Sequence, residues 1–480
     1  MKSPQKEGPP LRARRSVLTG GAVGLAAMAG AAIMSAPPAI AQTTATPSVT
    51  DWLNVVNYGA DPTGASDSTK AINQALVAAG NQTDANNAVT GGVVYLPTGV
   101  YMTTAPLLIP PQVMLLGAFP ASADMSSDST PDWAGSVIRP SSAWVSTDAN
   151  AGVIYMNGVM DGGSQSVARR SSVCNLWVDC SGLWSKDKPV SGTGLMAGLS
   201  VYGGVFHGLV SGVGIYNTPG TGMCFAADRK TNARSDGWTI RDCVVQGWGH
   251  NPTDYGIYWN GEDTQFINVH VQAGPSSTRG GSGWYINKGG NCRWVACRGD
   301  QSADSGWTID ANPGGTPDTP GGSVTLIGCG SENNGNFGLH LINTSATSTT
   351  TGSEMRVPVQ AIGCTFLFDG RLKPTGGGAG IRVEGYNTLS LDNCNVNTSA
   401  DGYPAYALVT GYSPSKSNQT PTAPALIRAF GGIWNCNGSP LINDTADMIG
   451  AGTLWTDVHC VTGGPWTTTT PIEHYVTPTS

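Results

Sequence analysis

The chain has 480 residues, with 66 Gly, 31 Pro, only 12% charged side chains and a net charge of −7. Long helices draw on Ala, Leu, Glu and Lys, so this composition favours strands and turns. The acidic balance argues against a nucleic-acid binder, and it makes contact with a polyanionic polysaccharide depend on local Arg or Lys or on bridging Ca2+.

The first segment reads as a processing signal. Arg14 and Arg15 precede a mildly apolar Gly/Ala-rich run, Val17 to Met34, and an Ala-x-Ala site ends at Ala41. Paired Arg before so weak an apolar run is the pattern of a twin-arginine export signal over residues 1–41, which places the mature protein outside the cytoplasm, secreted or periplasmic. Losing Lys2, Lys6, Arg12, Arg14, Arg15 and Glu7 takes the net charge to −11. No later segment is apolar enough to cross a membrane, so the mature form is expected to be free of one.

Residues 42–120 read as an N-terminal cap with the first coils. "LNVVNYGADPTGASDSTKAINQALVAAG", from Leu53, gives a strand, a polar loop and a helix capped near Asp67 or Ser68. "GGVVYLPTGVYMTTAPLLIPPQVMLLGA", from Gly91, gives strands broken by turns. A short helix laid over the first coil would hide an open sheet end.

Residues 121–463 are built on two recurring words. One reads "GIYWN" at Gly256, "GWYIN" at Gly283, "GWTID" at Gly306, "GLHLI" at Gly338 and "GIRVE" at Gly380. The other appears as "WTIRDCVV", "QFINVHV", "CRWVACRG", "VTLIGCGS", "VQAIGCTF" and "LSLDNCNV". Aligning the second word puts Cys243, Val269, Cys297, Cys329, Cys364 and Cys394 in one column, at steps of 26, 28, 32, 35 and 30 residues. Short alternating strands at such a period make a solenoid, in which each copy must stack on its neighbours to bury its apolar side. A propeller would repeat at longer intervals with four strands per blade. The expected fold is all-β, a single-stranded right-handed parallel β-helix with a short N-terminal capping helix. The Cys column reads as an internal ladder of small apolar side chains. Each word's Gly reads as a sharp corner, and Asn260, Asn287 and Asp310 read as turn residues at coil corners. Trp177, Trp238, Trp294 and Trp307 read as packing, while Trp184, Trp248 and Trp259 border loops. Eleven Cys leave one unpaired if all bridges are internal, and Cys174/Cys180 and Cys292/Cys297 are close enough in sequence to pair. The Thr/Pro-rich residues 464–480 read as a loose terminus.

The "YGADPTG…DSTKAI" and "GGVVYLPTGVY" segments closely resemble the N-terminal region of the pectate-lyase superfamily, in the group with rhamnogalacturonase-like and phage tailspike β-helices. The resemblance implies a polysaccharide partner and a monomer or a homotrimer. It leaves chemistry open, because that superfamily holds hydrolases, lyases, epimerases and binding proteins. The Asn-Thr-Asp, Asp-Asp, Gly-His-Gly and Arg-Ile-Lys motifs of its pectin hydrolases are not intact here: "GWGHN" keeps His250 without the second Gly, and "GIRVEG" keeps Arg382 without the Lys.

Candidate site residues follow from stacking. Segments between the second word and the next first word must share one margin, which carries His250, Asp254, Arg279, Arg298, Asp300, Asp304, Glu332, Asp369 and Arg371. Carboxylates one or two coils apart would be separated by about 5 or about 10 Å, values that bracket the retaining and inverting geometries of glycoside hydrolysis. Asp300, Asp304 and Glu332 are the expected catalytic trio, with His250, Asp254, Arg279, Arg298 and Trp248 as expected substrate contacts. Hydrolysis would need no cofactor. A lyase would use Arg279 and Arg298 against a uronate carboxylate, with Ca2+ held by Asp300 and Asp304. A non-catalytic carbohydrate-binding or surface protein is the reading from a different class. The charged stretch Asp228 to Asp236, with Arg229, Lys230 and Arg234, is a candidate groove wall.

Overall fold

The computed structural model describes residues 52–84, 86–121, 135–158, 168–183, 197–229, 231–273, 280–310, 323–342, 358–372, 378–384, 387–398, 406–411, 425–436, 454–462 and 470–475. The expected leader, Trp184, Lys230 and Arg279 lie outside the described residues.

The fold is a right-handed parallel β-helix with one short helix near its N-terminal end. That helix, Thr69–Gly80, buries Ala71, Ile72, Ala75, Leu76 and Ala79. Its cap is shared between the two expected residues. Ser68 occupies the cap position, but its hydroxyl accepts from Asp61 N at 2.9 Å, while Asp67 Oδ1 takes the Thr69 N–H at 2.9 Å.

Each regular coil places two short strands on one long sheet and a third on a second sheet. In one coil these are Thr239–Arg241, Val244–Trp248 and Ile257–Glu262; in the next they are Gln265–Ile267, His270–Gln272 and Trp284–Gly290. A residue in the left-handed region turns the corner between the first two strands. Asp242, Asn268, Ala296, Gly328, Gly363 and Asn393 hold φ between 50° and 60° in successive coils. Asn, Asp and Gly tolerate that region best, which explains the column's composition. Each corner N–H donates to the next coil, as in Asn268 N to Val295 O at 2.9 Å and Gly328 N to Ile362 O at 2.8 Å, so the bend leaves no buried donor unmet.

The cysteine column follows this corner. Cys243, Cys297, Cys329, Cys364 and Cys394 are all buried, and the nine described cysteines are free thiols, Cys174, Cys180 and Cys292 among them. Aliphatic and aromatic side chains fill the rest of the interior. Trp284 lies directly over Trp307, with centroids 4.8 Å apart and planes 2° from parallel, which is the coil spacing itself.

Two expectations change. The word's glycines do not make corners by unusual φ; they stand where another backbone passes. A Cβ on Gly256 would sit 2.1 Å from Val271 Cγ1 and 2.6 Å from Gly283 O. The C-terminal tail is also not wholly loose, because Thr470–Tyr475 pairs antiparallel with Leu454–Thr462.

Candidate functional site

The expected margin divides into separate groups. Asp300 and Glu332 do come together, in register on adjacent strands of the long sheet. Arg298 joins them: its Nε and Nη2 donate to Asp300 at 2.8 and 3.2 Å, and Nη2 donates to Glu332 at 3.1 Å. Burial opposes the guanidinium's charge, but the hydrogen bond and charge of Asp300, then the charge of Glu332, win and raise its pKa. His270 Nε2 lies 2.7 Å from Asp300 Oδ2.

Asp304 is not part of this group. It accepts from Ser282 Oγ at 2.9 Å and from Asn336 Nδ2 at 2.6 Å, across neighbouring connections. Asp254 closes its own turn, accepting from His250 N, Asn251 N and Asn251 Nδ2 at 2.8–3.0 Å. Trp248 cannot stack on a ligand from its present position: it is 1% exposed and belongs to the core, as does Trp259. Inward alternation of the strand, not proximity to a loop, decides the tryptophans. Asp369 is wholly buried beneath Ser331 and Asn334, away from any margin. Arg234 pairs with Glu262 at 3.0 Å, and Asp228 is buried within its loop, so this stretch is tied to the body.

A different surface gathers chemistry. The connections between the two strands of the long sheet are tight corners, whereas the longer described connection 249–256 leads into a strand of the second sheet. Its outward face carries two rows. Tyr258, Tyr285, Thr308, His340 and Arg382 occupy equivalent positions on successive coils. The second row includes Asp310 and Glu384, two residues further along their strands. Tyr255 stacks on Tyr285 at 4.4 Å, and Tyr285 on Tyr258 at 5.8 Å. Tyr285 Oη donates to Asp310 Oδ2 at 3.3 Å, and Asn287 Nδ2 donates to Tyr258 Oη at 2.8 Å. Burial pushes the Tyr258 phenol up to about 12. Burial and then the Asp310 charge push Tyr285 higher still, so these phenols keep their protons at neutral pH and act as donors. Ser282 Oγ, 2.6 Å from Thr308 Oγ1, links Asp304 to this face.

Two coils on, His340 Nε2 lies 3.1 Å from Glu384 Oε1, and Arg382 Nε is 3.8 Å from the same oxygen. Phe337 backs both: its ring centroid is 4.7 Å from that of His340 and 5.4 Å from the Arg382 guanidinium carbon. A carboxylate that orients an imidazole beside a cation is an arrangement suited to proton transfer.

Sequence reasoning passed over Tyr258, Tyr285, His340 and Glu384, and named Arg382 only as part of an incomplete motif, although their signal was in the repeated word. Its third and fifth positions are Tyr and Asn, Tyr and Asn, Thr and Asp, His and Ile, and Arg and Glu. Asn260, Asn287 and Asp310 are therefore outward strand residues rather than corner residues; the turns fall later, at Asp263 and Asn291, with φ of 48° and 54°.

The family described as rhamnogalacturonase A/epimerase, pectate lyase-like, matches residues 52–298, just over half of the chain. The chain belongs to this family. The pectate lyase-like fold recurs in solved structures. The Azotobacter vinelandii mannuronan C-5 epimerase AlgE4 A-module is 17% identical, with a TM-score of 0.54, covering 83% of this chain and 96% of that one. The Streptococcus pneumoniae surface protein and adhesin PfbA is 13% identical, with a TM-score of 0.53, covering 86% of this chain and 95% of that one. No curated protein matches the chain. Among the described residues there is no cluster of three or more His, Cys, Asp or Glu arranged to hold a metal ion, and no helix long and apolar enough to cross a membrane.

Proposed function

We propose that this pectate lyase-like protein acts on an extracellular polysaccharide along the outward face of its second sheet, by abstracting a proton beside a uronate carboxylate. The observation that carries the reading is the His340–Glu384 contact at 3.1 Å with Arg382 beside it. With Nε2–H held by Glu384, the Nδ1 lone pair of His340 is the base. Arg382 offsets the substrate carboxylate as charge builds on the adjacent carbon. That carbanion either expels the neighbouring glycosidic oxygen, which is lysis, or regains a proton on its other face, which is epimerisation. The protonated phenol of Tyr258 donates to a sugar hydroxyl, while Tyr285, whose proton goes to Asp310, accepts from one on the neighbouring coil.

Glycoside hydrolysis, the reaction favoured by the carboxylate-rich margin, fits this geometry less well. It needs one carboxylic acid placed to donate a proton. Asp300 and Glu332 both accept from Arg298, and Asp304 accepts from Ser282 and Asn336. Ca2+ enters the proposal as an aid that would share the task of Arg382. The family description and the mannuronan epimerase among the structural neighbours support the substrate class, and Arg14–Arg15 with the Ala41 site supports export.

The test offers the purified protein alginate, polygalacturonate and a neutral glucan, with Ca2+ and with chelator. Unsaturated-uronate absorbance and uptake of solvent deuterium are read beside new reducing ends. The expectation is absorbance or deuterium uptake, at least about 10²-fold weaker in His340→Gln and retained in Asp300→Asn. Reducing ends alone, lost in Asp300→Asn or Glu332→Gln, would return the site to the long sheet. Binding without turnover would make the protein a carbohydrate-binding one.

A further inference from the structure

The outward face of the long sheet carries a column unrelated to the proposed site. Arg241, Ile267, Val295, Ile327, Ile362 and Asp392 stand in unbroken register on six successive coils. Their predecessors Ile240, Phe266, Trp294, Leu326, Ala361 and Leu391 are buried, so alternation turns all six outward. Arg241 is exposed, Ile327 is 37% exposed and the others are half-buried between their neighbours. Within these six coils the column is four aliphatic side chains flanked by a cation and an anion, and the register runs on to Ser211 beyond Arg241 and to the exposed Phe430 beyond Asp392, two residues that the same twofold would set against each other.

We infer that this column is the contact of an antiparallel dimer with a second copy of the same chain. A twofold axis crossing the column between Val295 and Ile327 sets Arg241 against the partner's Asp392, Ile267 against the partner's Ile362 and Val295 against the partner's Ile327. Both ends then pair opposite charges, as an isologous contact requires. The flanking columns obey the same symmetry. Thr239, Gln265 and Arg293 would meet Ser390, Gln360 and Thr325, with no like charges opposed. On the other side the corner narrows at the centre to Ala296 and Gly328, and a Cβ at Gly328 would meet nothing within 4 Å, so the two backbones can approach. A parallel dimer or a threefold assembly on this face would instead bring Arg241 to Arg241 and Asp392 to Asp392. Six coils at about 4.8 Å and four residues of strand give a strip of roughly 24 by 13 Å. That is small beside the ~800 Å² per partner of stable interfaces, so the association is weak and concentration-dependent.

Sedimentation velocity of the purified protein over a wide concentration range tests this. The expected result is a monomer–dimer equilibrium that Ile327→Glu abolishes. Arg241→Asp or Asp392→Arg alone turns two attractions into two repulsions and weakens the dimer by about tenfold. The double reversal restores it, because the cation and the anion have then exchanged ends and opposite charges face each other again. Thermal melts matching wild type show that the variants fold. A protein monomeric at every concentration, a trimer, single reversals without effect, or a double reversal as weak as the singles would each overturn the inference.

Discussion

Asp369→Asn tests the interior of the helix most directly. Asp369 is wholly buried; Oδ2 accepts from Ser331 Oγ at 2.7 Å, and Oδ1 accepts from Asn334 N and Nδ2 at 3.1 and 2.8 Å. Burial raises its pKa from 3.8 to about 7, against the hydrogen bonds of Ser331 and Asn334, which lower it. A carboxyl whose pKa rises on folding favours the folded state only while it is protonated. Its contribution is therefore intact below about pH 4, falls as the pH climbs to about 7, and is flat above that. At about 1.36 kcal/mol per unit, the gap from 3.8 to about 7 amounts to roughly 4 kcal/mol. Asn has the same shape. Its Oδ1 keeps both Asn334 contacts, and its Nδ2 donates to the Ser331 hydroxyl, which turns to accept. Urea denaturation followed by far-UV circular dichroism from pH 4 to 8 should give a variant more stable than wild type at pH 8 by about 2–4 kcal/mol, converging toward pH 4. A difference that does not grow with pH, or a variant weaker at pH 8, would refute the reasoning.

Gly256→Ala should cost about 1–3 kcal/mol, because its methyl meets Val271 and the Gly283 carbonyl; a melt equal to wild type would show that the coil gives way. Of eleven cysteines, nine are buried free thiols, so no more than two should react with a thiol reagent in the native protein and all should react in denaturant. Burial pushes the Cys243 thiol up to about 12, which slows that attack further. His340→Gln should suppress turnover while leaving the melting temperature nearly unchanged, which separates a chemical role from a structural one.

The sequence by itself determined the solenoid. Stacking equal coils forces equivalent positions into columns, so a repeated word is already a three-dimensional statement, and the cysteine ladder, the core Trp177, Trp238, Trp294 and Trp307, and the capping helix could all be read from it. It did not determine the candidate site. Asp300 and Glu332 were correctly placed side by side, but only the structure shows Arg298 between them, Asp304 and Asp254 tied into their own connections, and Trp248 facing inward. The same holds for His340, Arg382 and Glu384. One word spells an outward Tyr, His or Arg at the same position, and nothing local says which of these side chains meets a carboxylate from the next coil. Period-2 alternation is a short-range property that a chain carries with it. Which outward side chains meet depends on how consecutive coils turn their corners, and that is decided only when the coils are stacked.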